Sequence, residues 1–206
     1  MNVRAPRIIA LSLLLAALLL PATAFAAGKS DMLRQDMRKL WEDHISWTRL
    51  FIVSALADLP DKDATTKRLL QNQVDIGNAV KPFFGAEAGD KLAALLKDHI
   101  LIAADIVTAA KASDNAKLES SKTKWVANAD EISAFLSGAN PKHWPAAEMK
   151  KMMREHLDLT TAELMARLKK DWTADVAAYE KVHAQALHMA DMLSDGIAKQ
   201  FPDKVK

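Results

Sequence analysis

Three short words in this chain constrain its fold more than any other feature. LWEDH (40–44), LLKDH (95–99) and MMREH (152–156) each place an apolar residue four positions before a histidine and an acid directly before it. The histidines stand 55 and 57 residues apart. Recurrence at a nearly fixed period of this length is the signature of a repeated supersecondary unit, and it decides architecture before any single residue does.

The unit is helical. Apolar residues recur at spacings of three and four, and no stretch alternates with period two for long. The pattern and its punctuation predict helices over 31–59, 63–84, 88–112, 115–138, 146–170 and 173–200. Leu59-Pro60-Asp61 ends the first, and Asp63 is placed to cap the second. Gly85 suits a helix C-terminus. Ser113-Asp114 and Thr173 stand at cap positions, and Pro145 is placed to open a helix after the break at 140–145. Short loops between helices of similar length predict an all-α, up-down bundle of three hairpins, about 31–84, 88–138 and 146–200, each opened by a histidine word.

The histidines fall inside the apolar stripes. Met37, Trp41, His44, Thr48 and Phe51 share a face. So do Leu92, Leu96, His99, Ala103 and Ile106, and likewise Met149, Met153, His156, Thr160 and Leu164. Counting helix rise from the turns brings other polar groups to their level. Asp75 falls within about 4–5 Å of the height of His44, Asn128 near His99, and His188 near His156. Asn72 and Asp130 lie close to the same level, and His183 about one turn away. An unpartnered polar group in an apolar bundle costs about 1–3 kcal/mol, so this layer must pair internally or hold a ligand.

Three readings account for such a layer. Each histidine pairs with an Asp or Asn of its partner helix, and the network fixes helix register. Alternatively His44, His99, His156 and His188 are neutral imidazole ligands of a divalent transition metal, Zn or Cu, with Asp75 as a carboxylate ligand or acceptor and Asn128 orienting a ligating ring. The third reading is a pocket for a small molecule or haem, with Met149, Met152, Met153, Met189 and Met192 clustered in the last hairpin. Thioethers favour Cu(I), but methionine at helical spacing is also ordinary core. The di-iron carboxylate pattern needs a pair of inward Glu-x-x-His motifs, and Glu180 to His183 supplies one alone.

The N-terminus reads as an export signal. Arg4 and Arg7 precede an apolar run from Ile8 to Leu20, and Ala24-Phe25-Ala26 is a small-x-small cleavage site. The run is short of the ~20 residues that a bilayer span needs, which predicts a periplasmic or secreted protein with no stable membrane insertion after cleavage near Ala26. The chain has 28 Lys+Arg and 26 Asp+Glu, and two of the arginines belong to the leader. The remainder, residues 27–206, is therefore close to neutral, and nothing in it argues for nucleic acid. The absence of cysteine excludes a disulfide framework and a thiolate metal site. There is no G-x-G-x-x-G, Walker loop, G-x-S-x-G or H-E-x-x-H, and no Ser or Cys nucleophile stands beside a His.

The stretches LWEDHISWTRLFIVSALADLP (40–60), LLQNQVDIGNAVKPFFG (69–85), LLKDHILIAADIV (95–107), WVANADEISAFLSGANPKHWP (125–145), HLDLTTAEL (156–164) and VHAQALHMADMLSDGI (182–197) resemble a family of exported bacterial all-helical proteins. Members carry the labels glycosyltransferase or acetylglutamate kinase. Either activity needs an α/β nucleotide-binding core that a chain of helices lacks. The resemblance implies an exported helical fold and carries over no catalytic residue. The combined expectation is a periplasmic or secreted binding protein holding a divalent metal. The alternative is an envelope structural or interaction module in which the layer only sets register.

Overall fold

The computed structural model describes residues 28–206; the export signal predicted at 1–26 lies outside the described residues. Among these there are six α-helices and one short 3-10 turn: α1 (Lys29–Leu56), α2 (Lys62–Phe84), α3 (Ala86–Lys111), α4 (Asn115–Ala139), α5 (Ala146–Leu168), α6 (Trp172–Gln200) and Pro202–Lys204. They form the expected three hairpins, with boundaries within three residues of the sequence reading. No helix of the described residues is long and apolar enough to cross a membrane.

The repeat extends into the turns. Fourteen residues after each histidine the backbone turns left-handed, at Asp58 (φ 52°), Ser113 (φ 58°) and Lys170 (φ 58°). The next backbone N–H then reaches back to a carbonyl of the ending helix: Leu59 to Ser54 at 2.9 Å, Asp114 to Ala109 at 3.0 Å, and Asp171 to Ala166 at 3.1 Å. This is the Schellman closure, which satisfies carbonyls that have no partner within the helix. In the second and third hairpins the following Asp also caps the returning helix, Asp114 accepting from Lys117 N–H and Asp171 from Ala174 N–H, each at 3.0 Å. Asp171, not Thr173, is therefore the cap of α6. In the first hairpin Leu59-Pro60-Asp61 stands between the left-handed residue and α2, so the returning helix starts later without any change of spacing, and Asp61 makes no side-chain cap.

Each helix packs on the next, and α6 closes the ring on α1; α1, α3 and α5 also touch one another. The three histidine-bearing helices thus meet on the bundle axis. Two close approaches tie the hairpins together. A Cβ on Gly77 or Gly89 would sit 2.5 Å from the other's carbonyl oxygen, so only glycine lets α2 and α3 cross there. Trp144, 1% exposed, packs against Gly196, while Asn140 Nδ2 donates to the Gly196 carbonyl at 2.9 Å.

A second polar cluster lies nearer the α5–α6 turn. Arg49 pairs with Glu163 (2.9 Å) and with both oxygens of Asp175, and Arg167 donates to Asp175 at 2.9 Å. Both acids are 1% exposed. Burial pushes the Glu163 carboxyl up against the pull of Arg49. Glu163 stands seven residues after His156, in the stripe position that Phe51 and Ile106 hold in the other repeats. Two acids and two guanidiniums cancel in charge, and the cluster clips α1 to the third hairpin.

Candidate functional site: a layer of three imidazoles

His44, His99 and His156 are 8%, 3% and 5% exposed and come together on the axis. The His156 ring centroid lies 5.9 Å from that of His44 and 6.2 Å from that of His99. Each ring uses Nδ1 on a side-chain amide 29 residues further along: Gln73 at 3.3 Å, Asn128 at 2.7 Å and Gln185 at 3.2 Å. Asn128 Nδ2 donates back to the Leu95 carbonyl (3.1 Å) and Gln185 Nε2 to that of Met152 (3.1 Å), each four residues before its histidine. In the first hairpin two residues divide this work. Asn72 Nδ2 donates to the Leu40 carbonyl at 3.0 Å, and Gln73 meets the ring.

Three predicted members of the layer are thus in place with their partner Asn128, and two are not. Asp75 is half-buried and faces Arg68 (3.4 Å) and Gln71 (3.1 Å). His188 is exposed. Height alone put them at this level. Asp75 stands two residues after Gln73 and His188 three after Gln185, and at 100° per residue neither shares the amide's direction. Gln73 and Gln185 take the places assigned to them. Adding 29 to each histidine finds all three amides in the sequence. His183 lies outside the layer, where its Nε2 meets Glu42 Oε2 at 2.7 Å.

The carbonyls fix the tautomers of two rings. Leu95 and Met152 each demand a donor, so the amide nitrogens of Asn128 and Gln185 face them and the amide oxygens face the rings. The rings must then carry their proton on Nδ1, which leaves Nε2 of His99 and His156 as a lone pair. His44 differs. Gln73 Nε2 has two hydrogens for three acceptors, the Leu69 carbonyl at 2.8 Å, Asn72 Oδ1 at 3.2 Å and His44 Nδ1 at 3.3 Å, so this amide does not fix the tautomer of the ring. His99 Nε2 and Gln73 Oε1 are fully buried without a partner.

All three rings are neutral at pH 7. Burial holds His44 and His99 down to about 3, reinforced by the neighbouring imidazoles, and burial also lowers His156. The layer divides two small cavities. Above it, toward Trp144, the centre of a water-sized sphere has about 40 Å³ between the three imidazoles, Met37, Met153 and Met189. Below it about 30 Å³ lies among Thr48, Phe51, Ile106, Trp125 and Thr160. Among the described residues no three of His, Cys, Asp or Glu stand close enough together to hold a metal ion. Comparison of the chain with family models, curated proteins and solved structures returned no match.

Proposed function

We propose that this is an exported, non-enzymatic binding protein that holds one transition-metal ion at the imidazole layer. The observation that carries the reading is the buried lone pair on His99 Nε2, without a partner, at the edge of a cavity that His156 also lines. Size selects among ligands. The upper cavity is far smaller than the ~150 Å³ void that admits benzene in an engineered protein interior, so a haem or drug-sized molecule does not fit. An ion does. The amide behind each ring supports the same reading, because a ligating histidine is normally oriented through its other nitrogen. The test is elemental analysis of untagged protein purified without chelator, with tryptophan fluorescence followed during metal titration. The expected result is about one ion per chain, lost in His99→Ala.

A second reading has its own support. The amide-to-carbonyl bonds lock each α-hairpin in register with no ion present, and Trp125 Nε1, also without a partner, stands beside the His99 ring at 5.1 Å between centroids. Protein that takes up no metal, with tryptophan emission unchanged, decides for this register device.

A further inference from the structure

We infer that the ion is monovalent and soft, of the Cu(I) or Ag(I) class, bridged between His99 and His156. This rests on the metal-binding reading above and narrows it to one ligand chemistry. Three observations lead there.

The first is charge. Asp75 lies outside the layer, and every group that faces the axis at this level is neutral: three imidazoles and the amides of Asn72, Gln73, Asn128 and Gln185. Desolvation cost grows with the square of the charge, so a divalent ion here meets about four times the penalty of a monovalent one, with no carboxylate to offset it.

The second is the count and spacing of lone pairs. The amides that face the Leu95 and Met152 carbonyls leave an unprotonated Nε2 on His99 and on His156. Zinc takes four ligands, and at a bond length of about 2.1 Å its imidazole centroids lie roughly 5.2–5.5 Å apart. A two-ligand linear bridge at the same bond length spans roughly 6.5 Å between centroids. The His99 and His156 centroids are 6.2 Å apart, nearer the linear span than the tetrahedral one. Linear two-coordination is a geometry that d¹⁰ monovalent ions accept and Zn²⁺ does not.

The third is the wall. Met37, Met153 and Met189 are 1%, 3% and 6% exposed and line the same cavity as the two rings. Thioether and imidazole are neutral donors that select Cu(I) over harder ions. The wall offers no hard oxygen ligand beyond the Gln73 amide.

The experiment titrates wild-type protein with Ag(I), a redox-inert stand-in for Cu(I), and separately with Zn(II), by calorimetry at pH 7. The expected result is a single Ag(I) site at least a hundredfold tighter than any Zn(II) site. His99→Gln and His156→Gln each abolish it. X-ray absorption on the Cu(I)-loaded wild type, which depends on no variant folding, then shows two short nitrogen contacts. Zn(II) bound more tightly than Ag(I), or a four-ligand shell, overturns the inference and leaves the metal reading standing. Ag(I) binding that survives both glutamine variants, as adventitious capture by the exposed Met32 would, also overturns it. Uptake of neither ion removes the metal reading together with the inference.

Discussion

A histidine held neutral on the axis of a bundle makes stability depend on pH with a definite sign. Folded His44 and His99 titrate near 3, while an unfolded histidine titrates near 6.5. Between these values the unfolded chain binds more protons, so stability is intact above pH 6.5 and falls as the pH drops toward 3. At pH 5 each ring accounts for about 2 kcal/mol of lost stability, from about 1.5 pH units at 1.36 kcal/mol each. Urea unfolding at pH 7.5 and pH 5 should show this drop, and His99→Gln should shrink it; an unchanged midpoint contradicts the burial of neutral rings. Arg49 carries a second prediction at this scale. Arg49→Met strands Glu163 and Asp175 in the interior with Arg167 as their remaining cation, and removing one partner of a buried pair costs about 3–5 kcal/mol. Thermal unfolding reads that loss directly, and a loss under 1 kcal/mol would show the cluster to be solvent-screened.

At the scale of the elements, the hairpin is the repeating device: histidine, a left-handed residue fourteen later, an amide at twenty-nine. The differing caps give a paired test. Asp114→Ala removes the acceptor of Lys117 N–H and should cost about 1 kcal/mol, whereas Asp61→Ala, at a position without a side-chain cap, should change stability by a few tenths at most. Gly77→Ala drives a Cβ into the Gly89 carbonyl and should destabilise by about 1–3 kcal/mol, with the backbone unable to relax as a side chain would. Circular dichroism melts of the three variants check all of these. Much at this scale was legible in the sequence. Stripes at spacings of three and four located every helix, and Asp114, Asn140 and Pro145 marked real boundaries. Asp75 and His188 were misplaced because a loop count fixes height along a helix but not direction around it. Glu163 is not legible in the sequence, because Arg49, its partner, is 114 residues away and no local pattern announces it.

At the scale of the whole molecule, three hairpins bring one histidine each to a common axis, and the amides behind His99 and His156 set which nitrogen carries the proton. The sequence reads as three equal units, yet the site is unequal. Two units hold one amide that serves both ring and carbonyl; the first divides the task between Asn72 and Gln73. That asymmetry is invisible without the positions of Leu40, Leu69, Leu95 and Met152. The proposed metal binding rests on the lone pairs of His99 and His156. Long-range ¹H–¹⁵N correlation of the imidazole rings at pH 7 reads the tautomers directly. The account predicts three neutral buried rings, with the proton on Nδ1 in His99 and His156. Protonation of Nε2 in either of these two, or a charged imidazolium among the three, would contradict it and remove a lone pair that the ion needs.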